Sequence, residues 1–251
     1  MKKQFTLGLV AAAFFAHAAG AAEPLQTPAP EGAGTVPAGK PVAWKYRALL
    51  SGLDLFERRS AELAPGATLR FKLPKGISLA PDTTVEIALA QDPIKLQTAP
   101  DNSFTLTRET RTGAGKADVV VRGRHFAPEE YRHPNIEVST PGLPAHVRRL
   151  GDLRLACEVQ VEIAKADLLA ARAILGTFGL FGLNICKSDS NIGMDAPGQY
   201  DAITLSADGR EMKLSKLSGR FNAPLGDAAW PDATLLQFTL GGQPAQPSLQ
   251  P

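Results

Sequence analysis

The chain has 251 residues, of which 44% are apolar, 6% aromatic and 21% charged, with 27 Lys and Arg against 25 Asp and Glu. This near-neutral balance lacks the positive field on which nucleic-acid binding depends, so nucleic acid is excluded as a partner class. After the first 22 residues no run approaches the roughly 18 consecutive apolar residues of a spanning helix, so the mature chain is expected to have no membrane span.

The N-terminus reads as an export signal. Lys2 and Lys3 form a basic start, Phe5 to Phe15 is an apolar run, and Ala16-His17-Ala18 and Ala19-Gly20-Ala21 supply small-residue cleavage sites. Residues 1–22 are therefore read as a signal peptide cleaved near Ala21 or Ala22. An N-terminal anchor is the competing reading, against which the run is short. No Cys follows the cleavage region, which argues against lipid attachment. Removing the signal takes away two lysines and leaves 25 basic against 25 acidic residues. The expected compartment is the bacterial periplasm or the medium. Residues 23–41 carry five Pro and three Gly and read as a linker. Residues 241–251 are similar and read as a disordered tail.

Between these ends the chain predicts a mainly β protein. Trp44 to Leu63 mixes strand and short-helix patterns and stops at Pro65-Gly66. Ala67 to Leu73 alternates, with Leu69, Phe71 and Leu73 on one face. Thr84 to Ala90 does the same with Val85, Ile87 and Leu89. Ile94 to Gln97 is an edge candidate, followed by Phe104 to Thr107, Asp118 to Arg122 and Asn135 to Ser139. Short alternating runs with Pro/Gly punctuation predict an antiparallel β-sandwich over 42–146.

Part of this region resembles a known family. The segments TTVEIALAQ, PDNSFTLTR and ADVVVRG, within about residues 84–122, resemble the core of carboxypeptidase-regulatory or transthyretin-like β-sandwich modules. In those a turn carrying Asp leads into a buried strand, as Asp101, Phe104 and Leu106 are arranged here, although Asn102-Ser103 replaces the expected turn glycine. The resemblance implies a structural or interaction domain without catalysis of its own.

A second β-rich lobe with one helix is expected over 147–240. Leu153 to Ile163 alternates strictly, which predicts a long strand with Leu153, Leu155, Cys157, Val159, Val161 and Ile163 buried. Asp167 would cap a helix at about 167–175, ended by Gly176. Thr177 to Ile185 is apolar and is expected to tuck against the sheet. Ala202 to Ser206 and Glu211 to Leu214 predict a hairpin, and Thr234 to Leu240 a last strand. Cys157 and Cys186 are the only cysteines. In an oxidising compartment they are expected to form one disulfide. A reactive thiol is the alternative, disfavoured by the buried position of Cys157.

Candidate chemistry is sparse. His125, His133 and His146 lie near Glu129, Glu130 and Glu137, but their spacings across Pro128 and Pro134 are unlike those of zinc sites, and no metal or cofactor is expected. Arg122, Arg124, Arg132, Arg148, Arg149 and Arg154 invite an anion, with mutual surface pairing as the alternative. The densest polar group is Arg149, Asp152 and Arg154, the expected binding residues. Ser188, Asp189 and Ser190 read as a polar loop, and Gly113 to Lys116 as a turn rather than a phosphate loop. Nucleophile and dinucleotide motifs are missing. Trp230 is the best carbohydrate-stacking candidate, against packing over the core edge. The reading is an exported, non-catalytic binding or structural module whose partner is an envelope protein or a small ligand. The alternative is a periplasmic hydrolase or metal-dependent enzyme using residues 122–154. A weaker third reading docks Thr177 to Ile185 on another protein.

Overall fold

A computed structural model describes residues 40–73, 83–109, 113–126, 134–167, 185–187, 193–196, 198–217 and 220–245. The signal, most of the linker and residues 168–184, with the expected helix and the apolar Thr177 to Asn184 stretch, lie outside the described residues.

Strand β1 (Lys40–Lys45) leads directly into helix α1 (Tyr46–Leu63). Tyr46, Leu49, Leu50, Leu53 and Phe56 recur at helical spacing among good helix formers such as Ala, Leu, Glu and Arg. The short helix of the sequence reading is thus an 18-residue one. The amide of Ala64 donates to the Ser60 carbonyl at 2.9 Å, and Gly66 then turns the chain at φ 75°.

Strands β2 (Thr68–Lys72), β3 (Thr84–Ala88), β4 (Ile94–Leu96), β5 (Ser103–Phe104), β6 (Asp118–Phe126) and β7 (Asn135–Ser139) follow. They form two antiparallel sheets, in the order β1-β6-β3-β4 and β5-β2-β7. Leu69, Phe71, Val85 and Ile87 are buried, as their alternation predicts, and β4 is an edge. Phe104 joins the two sheets, its ring 5.6 Å from that of Phe71 and 6.3 Å from that of Trp44 on β1.

Strand β8 (Val147–Arg149) runs straight into helix α2 (Leu150–Asp167). This corrects the long strand expected at Leu153 to Ile163. Leu155, Ala156, Val159 and Ile163 face the first core, with α1 and the two sheets. Leu150, Leu153, Cys157 and Val161 face a second core. At about 100° per residue these are two helical stripes on different sides of one helix. Interleaved along the sequence, they read as alternation. Asp167 is the last described residue of this helix, and the rest of the helix expected at about 167–175 lies outside the described residues.

The second core is closed by β10 (Ala202–Ala207), β11 (Arg210–Lys213), β14 (Leu235–Leu240) and β15 (Gln243–Pro244), with β8 added on β14. A small sheet of β9 (Gly193–Asp195), β12 (Lys216–Leu217) and β13 (Arg220–Asn222) sits in the same region of the sequence. The expected β10–β11 hairpin pairs Ala207 with Arg210. Beyond β14, Gly241 and Gly242 turn the chain back, and Ala245 is buried, so pairing runs past the bound read from composition. The fold is mainly β, with antiparallel sheets and two helices among the described residues. Cys157 and Cys186 are disulfide-bonded, with Cα atoms 5.9 Å apart.

Candidate functional site

The polar group singled out in the sequence straddles the entry to α2, where the chain passes from one sheet to the other. Strand β7 ends at Ser139, Thr140-Pro141-Gly142 turns with Gly142 at φ 85°, and β8 pairs with β14 before α2 begins. The first amides of α2 already have acceptors: Leu150 N–H donates to the Thr234 carbonyl at 2.8 Å and Gly151 N–H to that of Asp232 at 2.9 Å. These two caps fix the helix start.

Asp152 is fully buried in the first turn of α2. Its Oδ2 accepts the Thr140 backbone N–H at 3.0 Å, and its Oδ1 accepts the Thr140 hydroxyl at 2.8 Å. Two donors and a helix N-terminus together stabilise a buried carboxylate that would otherwise be costly. Arg149 reaches the same threonine, its Nη1 donating to Thr140 Oγ1 at 3.4 Å. Arg149 and Asp152 therefore meet through Thr140, which the sequence reading passed over.

Arg154 points elsewhere. Its Nε donates to the Leu225 carbonyl at 2.8 Å, its Nη1 to Asp232 Oδ1 at 2.6 Å and its Nη2 to the Asp227 carbonyl at 2.8 Å. This guanidinium clamps the 225–232 loop onto α2. Of the three expected binding residues, two converge and the third fastens a loop.

Beside Thr140 lies a recess of about 230 Å³. Glu137 and Ser139 of β7 form one side, and Val147 and Arg148 of β8 another. Arg148 donates from Nη2 to Glu137 Oε1 at 3.2 Å, and from Nη1 to the carbonyls of Ala145 and Val147 at 3.2 and 2.9 Å. The second oxygen of Glu137 lies 2.7 Å from Lys72 Nζ, which also lies 3.4 Å from Asp101 Oδ2. Burial raises the Asp101 carboxyl, but the Ser103 hydroxyl and amide and the Lys72 ammonium outweigh it and hold it below its ordinary value. The recess is thus walled by charged groups already held in place.

No family model, curated protein or solved structure matches this chain.

The other candidates separate. Arg122 pairs with Glu86 at 2.7 Å, away from the recess. The His125 side chain, the Arg124 side chain, His133, Arg132, Glu129, Glu130 and Ser188 to Ser190 lie outside the described residues. His146 is half-buried, and its carbonyl accepts the Phe238 N–H at 2.9 Å. Among the described residues no three His, Cys, Asp or Glu side chains are grouped to hold a metal ion. Trp230 is only 7% exposed, with the Arg210 guanidinium carbon 4.7 Å from its ring centroid, so its face is covered rather than offered to a sugar. Gly113, at φ 90°, opens a single 3₁₀ turn over Ala114–Lys116. No described helix is long and apolar enough to cross a membrane.

Proposed function

We propose that the chain is an exported, non-catalytic module that binds a small ligand or serves structurally in the bacterial periplasm or outside the cell. One observation carries the binding role: the recess beside Thr140, whose charged walls are fixed by the Asp152–Thr140 bonds and the Lys72–Glu137–Arg148 network. Preorganised walls of this kind lower the ordering cost of binding. The Cys157–Cys186 disulfide supports an oxidising compartment, and the signal-like N-terminus supports the route to it. The resemblance of residues 84–122 to transthyretin-like modules implies a role without catalysis.

The test has two arms. Cell fractionation and N-terminal sequencing of the natively expressed protein should find it outside the cytoplasm, starting near Ala22 or Glu23. The same material, given ester, phosphoester and peptide substrates with and without zinc, should give no turnover above buffer. Turnover that a chelator abolishes would replace this reading with the metal-dependent hydrolase.

A further inference from the structure

We propose that β11 is a self-pairing edge, through which two copies of this chain join their sheets in an antiparallel dimer. The inference does not rest on the recess. Its site is the edge of the β11-β10-β14 sheet opposite β8 and β15.

The open groups of this edge follow from the hairpin that makes it. Asp208 and Gly209 lie at φ 50° and 73°, the left-handed pair of a two-residue turn, and they close the pair of Ala207 with Arg210. At the other end the Leu214 N–H donates to the Ile203 carbonyl at 3.0 Å. Antiparallel bonding alternates, so residues 210, 212 and 214 turn their amides and carbonyls toward β10. Those of Glu211 and Lys213 point away from it, along an edge that no described strand covers.

Bonding and charge together then select one register. Two β11 strands related by a two-fold axis exchange bonds only between outward-pointing residues. Glu211 can face Glu211 of the second copy, Lys213 can face Lys213, or each Glu211 can face a Lys213. The first two set like charges opposite each other, which destabilises a strand pair. The third makes every facing pair an ion pair that also exchanges both main-chain bonds, about an axis through Met212. Glu211 and Lys213 are exposed, and neither has an ion pair among the described residues. Arg210, the remaining cation of the strand, is already held by the Ala229 carbonyl at 2.7 Å and by the Trp230 ring. Met212, half-buried against the second core and paired with Leu205, meets its own copy on the axis, so the two second cores abut. Charged edges commonly guard a sheet against pairing. Here the two free charges are opposite in sign and spaced to match each other.

An edge of four residues buries far less than the roughly 1,200 Å² of a stable interface. The dimer is therefore expected to be weak and to form by mass action as concentration rises.

The experiment is sedimentation velocity of the intact, disulfide-bonded protein, from dilute to concentrated solution. The expected result is a reversible monomer–dimer equilibrium that weakens with added salt. Lys213→Glu alone and Glu211→Lys alone should each return the chain to monomer, with the near-ultraviolet dichroism and thermal midpoint unchanged, since both side chains are exposed. The double exchange, Glu211→Lys with Lys213→Glu, should restore the dimer, because only the Glu211–Lys213 register reverses both members of each pair together. A chain that stays monomeric throughout overturns the pairing and leaves the charges as a guard on the edge. A dimer that ignores the single reversals overturns the surface, and one that the double exchange fails to restore overturns the register. Each of these results leaves the module reading standing, which fails instead on substrate turnover.

Discussion

Gly52 of α1 lies against Ile163 of α2 so closely that a Cβ on it would stand 2.6 Å from Ile163 Cγ1. This contact is where the two helices cross, and Ile163 is fully buried there. Gly52→Ala gains about 1 kcal/mol of helix propensity. The overpacking costs more, on the order of 1–3 kcal/mol, because the obstacle is the side chain of a fully buried Ile163. The expected outcome is a net loss of up to about 2 kcal/mol, read as a lower urea midpoint at unchanged slope. Ile163→Ala is destabilising alone, yet combined with Gly52→Ala it should lose less than the sum. Strict additivity would show that the crossing is looser than described.

Gly151 poses the harder version of the same problem. A Cβ there would meet the Leu63 carbonyl oxygen at 2.0 Å and Asp232 Cβ at 2.9 Å. The obstacle is backbone, which moves only by shifting α1 or the 232 loop. Gly151→Ala should therefore cost clearly more than Gly52→Ala, about 3 kcal/mol or above, with a matching drop in soluble yield. A variant as stable as the parent would contradict this packing.

The disulfide closes a loop of 29 residues' separation. Chain entropy alone assigns it about 3–4 kcal/mol, a large share of the 5–15 kcal/mol typical of a domain. Paired Cys157→Ser and Cys186→Ser changes should lower the denaturation midpoint accordingly, and reductant should do the same to the parent while leaving the double variant unmoved. A parent indifferent to reductant would mean that both cores hold α2 without the link.

Helix α2 marks the limit of what the sequence makes legible. Strands β2 and β10 bury one face each, so period two in the sequence became period two in space. Helix α2 buries two faces, and Leu153, Cys157 and Val161 from one stripe fall between Leu155, Val159 and Ile163 from the other. Single-sequence periodicity has no means of separating two such stripes. The recess escaped for a different reason: Lys72, Glu137, Thr140 and Arg148 come together only through the pairing of β2 with β7 and the turn into β8. Arg149 and Asp152 could be picked out because they are close in sequence. What Arg154 does could not, since its acceptors lie 71 and more residues away.

Arg154 is expected to act as a clamp for the loop. Arg154→Ala removes three bonds and leaves Asp232, part-buried, without that guanidinium. A loss on the order of 2–4 kcal/mol follows. Arg154→Lys should recover little of it, since one ammonium cannot span three acceptors set out for a planar fork. Faster amide exchange confined to residues 225–232 would identify the clamp, whereas a uniform increase would point to general unfolding.

Asp152 and Thr140 make the same argument for the turn into β8. Asp152→Asn keeps the shape but turns an amide donor toward one of the two Thr140 donors, so a buried bond is lost at about 2–4 kcal/mol. The Thr140 amide should lose its exchange protection in this variant. Thr140→Val should be milder, because it removes the hydroxyl and keeps the backbone N–H bond to Oδ2.

Tyr46 supplies a pH dependence whose sign is determined. Its hydroxyl donates to the Thr107 carbonyl and accepts the Glu109 N–H, both at 2.7 Å, pinning the 107–109 segment to the start of α1. Burial pushes the phenol above its ordinary value of 10.0, more than the Glu109 amide lowers it. A raised folded-state value means that the stabilisation is complete below the unfolded value of about 10 and is lost as pH rises through the folded value. Tyr46→Phe removes both bonds and should cost about 1–3 kcal/mol near neutrality. In urea titrations from pH 8 to 11 the gap between parent and variant should be constant at first and then narrow above about pH 10. A gap that widened with alkalinity would show that the phenolate, rather than the phenol, is the form this site holds.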